Sequence, residues 1–171
     1  MKLVKRLKHK GIRNPAVLDA IEAVPRHLFL DPEQFDNAYV DTALPIGHAQ
    51  TISQPFVVAL MSEMLLTAAK NNRRVLEIGT GCGYQTAILS HLFDKVYSVE
   101  RILSLSQRAE KNLTLLCINN ATLQHSDGTE GWPGHETFDA IIVTAASDNL
   151  PQPLLRLIKP DTCLIAPIGA P

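Results

Sequence analysis

One segment constrains the fold of this chain more than any other, because residues 75–100 predict a strand, a glycine turn, a helix and a second strand in immediate succession. The apolar run at 75–78 leads directly into Gly79, Gly81 and Gly83, with glycine at every second position. Glycine permits the positive φ angles and the close backbone contacts that a tight strand-to-helix turn needs. Two strands joined by a helix lie parallel in a sheet, so the segment predicts an α/β fold.

Strand and helix patterns alternate through the rest of the chain. Short apolar runs predict strands at 75–79, 96–100, 122–125, 138–145 and 162–168. Helical spacing of apolar residues predicts helices at 84–93, 102–116 and 151–159. This alternation predicts a doubly wound, mostly parallel sheet that is covered on both faces.

The first 70 residues predict an N-terminal helical extension. Asn14-Pro15 is typical of a helix start, and Ser53-Gln54-Pro55 predicts the start of a second helix. Residues 40–53 lack periodicity and predict an extended loop before this second helix. We expect an apolar stripe of the second helix to face the core: Val57, Leu60, Met61, Met64, Leu65 and Ala68. We expect one domain over residues 1–171, with the helices and the loop at 1–70 and the sheet at 71–171.

The charge and composition exclude several classes of protein. A formal net charge of −1 argues against a protein whose main task is to bind the phosphate backbone of a nucleic acid. The sequence has no apolar run of about 18 residues, the length that suggests a membrane-spanning helix. Its three cysteines form no CxxC pair, and its six histidines have no metal-ligand spacing. We therefore expect a cytoplasmic protein without a metal, a nucleic-acid partner or a membrane association.

The glycine turn and the acidic residue after the next strand predict a nucleoside site. The N–H groups of a helix start favour a carboxylate or a phosphate, and Glu100 can accept both hydroxyls of a ribose. The G-x-G-x-G spacing differs from the G-x-G-x-x-G of dinucleotide-binding proteins, which disfavours an NAD-dependent oxidoreductase. With Glu77 two residues before the first glycine, the turn resembles the first motif of Rossmann-like S-adenosylmethionine (AdoMet) methyltransferases. The cofactor residues that this implies are Glu77, Gly79, Thr80, Gly81, Gly83 and Glu100.

The role expected of Glu77 is to serve the ammonium group of AdoMet, directly or through water. Asp127-Gly128 adds a further candidate contact, because it falls directly after the third predicted strand. Methyltransferases of this type present a side chain to the adenine amino group at that position. Asp-Gly is also an ordinary turn pair, and this second interpretation stays open.

A second motif lies at Thr51–Pro55, TISQP, before the second helix. Together with LEIGTGCGYQTAIL, VERI, Asp127-Gly128 and FDAIIVTAA, it closely resembles the protein-L-isoaspartate (D-aspartate) O-methyltransferase family. The resemblance runs from about the second helix to the last residue. It implies AdoMet as cofactor and, as substrate, the free α-carboxylate of L-isoaspartyl and D-aspartyl residues in damaged proteins. The methyl ester that forms then closes to a succinimide, whose hydrolysis returns some normal aspartate.

The same resemblance implies that Ser53 is the catalytic residue. The acceptor-binding residues it implies are Ile46, Thr51, Ile52, Ser53 and Gln54. The residue type suits the chemistry, since a carboxylate with a pKa of about 4 is ionised at neutral pH and needs orientation rather than a strong base. A serine before Gln-Pro and an apolar run is also a good helix N-cap, so both roles stay open.

Four other residues have two interpretations each. His48 is either a general base or a solvent-facing histidine. Tyr84 and Trp132 either stack on the adenine or pack in the core. Cys82, at a helix start, has either a lowered thiol pKa or an inert thiol.

Members of the family usually continue past the fifth strand, whereas this sequence stops at Pro171. We therefore expect a sheet that is truncated after its fifth strand and leaves an unpaired edge. A monomer, or a weak homo-oligomer formed through that edge, is the expected state. Two alternatives to the repair enzyme follow: a non-catalytic AdoMet-binding domain, or a methyltransferase for another substrate.

Overall fold

The computed structural model describes residues 2–134, 136–145 and 152–169, in which helices and strands alternate as predicted. The helices are α1 (Lys2–His9), α2 (Pro15–Ala23), α3 (Pro55–Ala68), α4 (Tyr84–Ser90), α5 (Leu103–Leu115) and α6 (Gln152–Leu155). The strands are β1 (Leu44–Gly47), β2 (Gln50–Ile52), β3 (Arg74–Ile78), β4 (Lys95–Glu100), β5 (Ala121–His125), β6 (Ala140–Val143) and β7 (Cys163–Ile165). Short 3₁₀ helices lie at Arg26–Phe29, Pro32–Asn37 and Gly128–Glu130.

Five of the strands form a parallel sheet in the order β5-β4-β3-β6-β7. The central strand β3 pairs with β4 on one side, Val75 opposite Val96, and with β6 on the other, Val75 opposite Ala140. The strand order reverses between β3 and β6, and in open α/β sheets this is where ligands bind, at the carboxyl ends of the strands. The predicted doubly wound, Rossmann-like fold is confirmed.

Both faces of the sheet are covered. Successive residues of a strand point to opposite faces, and Val75 and Leu76 accordingly belong to two different hydrophobic clusters. The larger cluster joins the sheet to α1–α5 and contains Leu7, Ile21 and Leu65. The smaller cluster, on the opposite face, packs Trp132 and Leu157 against β3, β4 and β6.

The predicted N-terminal helices form, with one difference in the face that α3 buries. Asn14 caps α2, because its side-chain oxygen accepts hydrogen bonds from the N–H groups of Ala16 and Val17. In α3 the buried apolar residues are Pro55, Val58, Ala59, Met61 and Leu65. The predicted stripe is thus wrong at three positions, since Leu60 and Met64 are 37% and 47% exposed and Ala68 is exposed as well.

The segment at 40–53 contains a hairpin where an extended loop was predicted. Strands β1 and β2 pair antiparallel, with Leu44 opposite Ile52. Their turn is formed by His48 and Ala49, whose φ angles are +54° and +55°. Two consecutive positive φ angles are typical of the tight type I′ turn, which usually carries asparagine and glycine.

Two further features bear on the predictions. The helix expected at 151–159 is observed over Gln152–Leu155, and Pro151 lies outside the described residues. At the other end, Pro160 disfavours helical geometry in the residue before it. Within the part of the chain that is described, no helix is long and apolar enough to cross a membrane.

Candidate active site

The glycine turn at residues 79–83 is joined by backbone hydrogen bonds to the neighbouring strand β4. Gly79, Gly81 and Gly83 have φ angles of +100°, +56° and +91°, which only glycine adopts readily. The N–H groups of Gly79 and Thr80 both donate to the carbonyl oxygen of Val99, at 2.9 and 3.2 Å. The turn is thereby fixed to the carboxyl end of β4.

Glycine is also required in this turn because other atoms lie where a Cβ would be. A Cβ on Gly79 would lie 2.5 Å from Oγ1 of Thr144, and one on Gly83 would lie 3.3 Å from Cα of Ala109. The Thr144 hydroxyl donates to the carbonyl oxygens of Ile78 and Gly79, at 2.9 and 2.5 Å. Thr144 follows β6, so the turn is held from both sides of the central strand.

Glu100 lies directly beside this turn at the end of β4. The residue is 6% exposed, and its carboxylate accepts hydrogen bonds from the N–H groups of Gly81, at 2.8 Å, and Ile102, at 2.9 Å. One oxygen takes each bond, and a carboxylate oxygen has lone pairs for more than one donor. Glu100 can therefore hold the turn and still accept hydroxyl groups from a ligand.

Two connected chambers lie at the carboxyl ends of the strands. The larger, about 440 Å³, is lined by the turn from Gly79 to Cys82, the hairpin segment 49–53, residues of α3, α4 and β4, and Thr144 and Ala145 after β6. The smaller, about 190 Å³, has an apolar wall of Ile78, Val99, Val143 and Leu154. Five residues line both chambers: Gln50, Gly79, Glu100, Arg101 and Ala145. The chambers have the size and mixed polarity of a small-molecule site.

The predicted acceptor residues lie on the hairpin side of the larger chamber, but only some of them line it. Thr51, Ile52 and half-buried Ser53 do. Gln54 does not, since its carboxamide donates to the carbonyl oxygen of Asp41 at 2.9 Å. Ile46 is buried beneath the turn, with its Cδ1 3.5 Å from the Cβ position of Gly81.

Ser53 is not the N-cap of α3, so this alternative interpretation is wrong. The N-cap position is Gln54, and no side-chain hydrogen bond caps the helix there. The N–H group of Phe56 instead donates to the carboxylate of Asp41, at 2.8 Å. Ser53 thus lines the cavity and does not cap the first turn of the helix.

Glu77 is fully buried and lies behind the glycine turn rather than in the cavity. Its Oε2 accepts hydrogen bonds from the hydroxyls of Thr86, at 2.5 Å, and Ser98, at 2.6 Å. The Ser98 hydroxyl is in turn 2.6 Å from that of Thr80, which lines the larger chamber. Burial raises the pKa of Glu77 to about 8, and the nearby charge of Glu100 adds to this.

Asp127 and Gly128 line the smaller chamber and also form a turn. The Asp127 carboxylate accepts a hydrogen bond from the N–H of Thr129 at 3.0 Å, and this bond lowers its pKa. A Cβ on Gly128 would lie 2.6 Å from Cγ2 of Ile78. The turn and the wall of the chamber are therefore the same feature, and the two interpretations of this pair are compatible.

The remaining alternatives divide between the cavity and the core. Trp132 packs edge-on against Tyr97, with ring centroids 5.0 Å apart, and is not a lining residue of either chamber. Tyr84 does line the larger chamber, although its ring is buried beneath the guanidinium of Arg26, 4.8 Å from the ring centroid. His48 lies at the hairpin tip, where its Nε2 is 2.7 Å from the Ser104 hydroxyl.

Cys82 lies in the turn but its thiol is buried. Burial raises the thiol pKa to about 11, which is the reverse of the lowering that a helix start would produce. The inert interpretation of this cysteine therefore holds.

Several lining residues were missed from the sequence: Gln50, Gln85, Arg101, Thr144 and Ala145. Thr144 and Ala145 follow β6 at the same edge as Glu100, and this position after a strand is the signal that could have identified them. Among the residues that the structure describes, no group of three histidine, cysteine or acidic side chains could hold a metal ion.

Comparison with known proteins gives consistent matches. A family model described as protein-L-isoaspartate(D-aspartate) O-methyltransferase matches residues 1–171. Protein-L-isoaspartate O-methyltransferase 1 of Marinobacter nauticus is 53% identical over 169 residues, which are 99% of this chain and 77% of that protein. The protein-L-isoaspartate O-methyltransferase of Pseudomonas fluorescens is 51% identical over 169 residues, covering 99% of this chain and 80% of that protein.

Solved structures give the same result. A protein-L-isoaspartate O-methyltransferase superposes with a TM-score of 0.86 at 31% identity, and the match covers 98% of this chain and 54% of that one. A Plasmodium falciparum protein described as a β-aspartate methyltransferase, in complex with S-adenosyl-L-homocysteine, superposes with a TM-score of 0.85 at 27% identity. That match covers 99% of this chain and 84% of the other.

Proposed function

The chain belongs to the protein-L-isoaspartate(D-aspartate) O-methyltransferase family, and on that premise we propose that it methylates the free α-carboxylate of L-isoaspartyl and D-aspartyl residues in damaged proteins. AdoMet is the methyl donor. The observation that carries the proposal is the larger chamber, because the glycine turn, Glu100 and Ser53 all line it. A donor held by the turn and an acceptor held by the serine would thus meet in one cavity.

The cofactor site that we propose uses both chambers. Glu100 accepts the ribose hydroxyls, and the N–H groups of the turn at 79–83 face the methionine end. The smaller chamber binds the adenine, because its wall is apolar and the carboxylate of Asp127, which lines it, can accept a hydrogen bond from the adenine amino group. Gly128 allows close approach of this wall.

Glu77 acts on the cofactor only indirectly in this proposal. Its buried carboxyl bonds Ser98, and Ser98 contacts Thr80 of the cavity wall. The chain of three side chains fixes the direction of the Thr80 hydroxyl. The ammonium contact expected of Glu77 is therefore replaced by a supporting role for the turn.

On the acceptor side, Ser53 donates a hydrogen bond that orients the substrate carboxylate. AdoMet supplies an activated methyl group, and the carboxylate is already ionised at neutral pH, so no side chain needs to remove a proton. Thr51 and Ile52 form the adjoining wall, and Gln54 and Ile46 hold the segment in place through Asp41 and the glycine turn. The task of these residues is to orient the acceptor and exclude water.

The cellular setting is also a proposal. Cys82, Cys117 and Cys163 are free thiols, which supports a reducing cytoplasm. The net charge of −1 supports damaged proteins rather than nucleic acid as partners. We propose one domain over residues 1–171, as a monomer or a weak homo-oligomer through the outer strand β7.

A labelled-methyl assay tests the proposal with an isoaspartyl peptide and the matching aspartyl peptide as control. We expect label in the first only. The Ser53→Ala variant should lower kcat/KM by about 10- to 150-fold, the cost of one hydrogen bond to a charged group, with S-adenosylhomocysteine affinity nearly unchanged. Ser90→Ala is the matched control, since the Ser90 hydroxyl bonds its own helix at the Ala87 carbonyl.

Three results would contradict parts of this proposal. Equal labelling of both peptides would refute the substrate assignment and favour a methyltransferase for another acceptor. Binding of the cofactor without any transfer would favour a non-catalytic AdoMet-binding domain. An equal loss of cofactor affinity and turnover in Ser53→Ala would make this serine a structural residue.

A further inference from the structure

The hairpin of β1 and β2 crosses from the N-terminal helices to α5 beside the cavity. Its tip contacts α5, with Nε2 of His48 2.7 Å from the Ser104 hydroxyl. Arg108 of α5 donates to the carbonyl oxygen of Ile46 at 3.4 Å and to that of Phe29 at 3.0 Å. The hairpin is therefore a fixed wall of the site, held at both its tip and its first strand.

Gln50 is the hairpin residue that lines both chambers. The other four residues shared by the chambers are Gly79, Glu100, Arg101 and Ala145, and each follows or ends a strand of the sheet. Gln50 therefore lies where the two chambers join, on the wall opposite the sheet.

From this position we propose that Gln50 is a cofactor-binding residue that contacts the ribose from the hairpin side. The inference rests on the proposed function, which assigns adenine to the smaller chamber and the methionine end to the larger one. The ribose joins these two parts, so it must lie at the junction. Glu100 there can only accept hydrogen bonds, whereas a carboxamide can both donate and accept. The two side chains together match hydroxyl groups, which do both.

The present contacts of Gln50 leave its side chain free for this exchange. Its Nε2 donates to the carbonyl oxygens of His48 and Ala49, at 3.4 and 3.2 Å, within its own turn. Both distances lie at or beyond the long end of the usual range for an N–H···O bond, and both acceptors belong to the turn itself, so rotation of the carboxamide toward a ligand would break no contact with the rest of the fold. The residue is half-buried, so it is already partly withdrawn from water.

The contact would also connect the cofactor to the acceptor site. Thr51 and Ile52 are the only two residues between Gln50 and Ser53 in the sequence. A ribose bound by Gln50 would thus lie beside the same fixed segment that carries Ser53.

The test is calorimetry of the full chain with S-adenosylhomocysteine, using Gln50→Ala. We expect its dissociation constant to rise by about 3- to 10-fold, as for one lost hydrogen bond. Gln124→Ala is the matched control, because Gln124 is exposed on β5 and its Nε2 also donates to a neighbouring carbonyl oxygen, that of His125. This control should bind like wild type.

The ribose assignment is tested with adenosine and its 2′- and 3′-deoxy analogues as competitors. If Gln50 contacts a hydroxyl, wild type should prefer adenosine over at least one deoxy analogue by a larger factor than Gln50→Ala does. An unchanged affinity of Gln50→Ala for S-adenosylhomocysteine would overturn the inference, and an unchanged preference would overturn the ribose contact. Absence of S-adenosylhomocysteine binding to wild type would instead overturn the proposed function itself.

Discussion

Glu77 gives a prediction that can be worked out from its surroundings. The carboxyl is fully buried, its Oε2 accepts hydrogen bonds from Thr86 and Ser98, and its Oε1 has no hydrogen-bond partner among the residues that the structure describes. Burial disfavours the charged form, and this raises the pKa from 4.5 to about 8. The group is therefore largely protonated and neutral in the folded protein at pH 7.

The raised pKa makes stability depend on pH in one direction. Because the folded state holds this proton more tightly than the unfolded chain, the contribution of Glu77 is complete below pH 4.5 and is lost as the pH rises toward 8. The loss is about 1.4 kcal/mol per pH unit within this window. Between pH 5 and pH 7 the wild-type protein should thus lose about 2–3 kcal/mol through this one group.

The Glu77→Gln variant removes the titration and keeps the shape of the side chain. The amide oxygen can still accept hydrogen bonds from Thr86 and Ser98. The amide nitrogen, however, replaces an oxygen without a partner in the described part of the chain, and leaving it unpaired costs about 1–3 kcal/mol. We expect the variant to be less stable than wild type at pH 5. The difference in unfolding free energy should shrink by about 2–3 kcal/mol by pH 7. Only wild type has a carboxyl here, and its ionisation in the unfolded chain favours unfolding as the pH rises.

Urea unfolding of both proteins at pH 5, 6, 7 and 8 measures this. Other titrating groups are common to the two proteins and cancel in the difference of their unfolding free energies. A difference that stays constant across the series would refute the reasoning, since it would mean that Glu77 has the same pKa in the folded and unfolded states. An advantage of wild type that grows with pH would mean that folding lowers the pKa of Glu77, and this would refute the reasoning equally.

Two further predictions concern single residues at which a helix starts. Gly83→Ala should lower the free energy of unfolding by about 1–3 kcal/mol, because φ is +91° and the new Cβ would lie 3.3 Å from Cα of Ala109; urea unfolding within about 0.5 kcal/mol of wild type would contradict this. Asn14→Ala should cost about 1 kcal/mol through the lost bonds to Ala16 and Val17, with S-adenosylhomocysteine affinity unchanged in calorimetry; a weaker affinity would show that the cap also supports the site.

The parts of the fold that could be predicted from the sequence are those set by local pattern. The strands β3 to β7 lie within a residue or two of their apolar runs at one end or both, because a buried parallel strand needs such a run. The hairpin was missed for a local reason as well. Its turn consists of His48 and Ala49, whereas two consecutive positive φ angles usually require asparagine and glycine. In this turn His48 also contacts Ser104 of α5, a contact that the local sequence does not predict.

The face of α3 could not be predicted because the helix is apolar on more than one side. Leu60 and Met64 have the spacing of core residues, yet they are exposed. The residues that are buried in the core are Val58, Met61 and Leu65. Periodicity identifies a helix but cannot choose between two apolar faces. The choice depends on where β6 and β7 lie, which is a long-range property.

In the site as well, local pattern determines part of the structure, and the direction of the Glu77 side chain can be predicted from the sequence. Side chains of a strand alternate between the two faces of the sheet, so Glu77 and Ile78 must point in opposite directions. Ile78 lines the chamber proposed for adenine, and Glu77 accordingly points toward α4, where it bonds Thr86. A carboxyl at that position, beneath the first helix of the βαβ unit, is fully buried and has no basic partner among its described contacts. Protonation makes it neutral and so lowers the cost of burying it. Its spacing from the glycines therefore indicates a neutral support for the turn, whereas Glu100, at the end of β4, lines the cavity and has the spare lone pairs that a ligand contact requires.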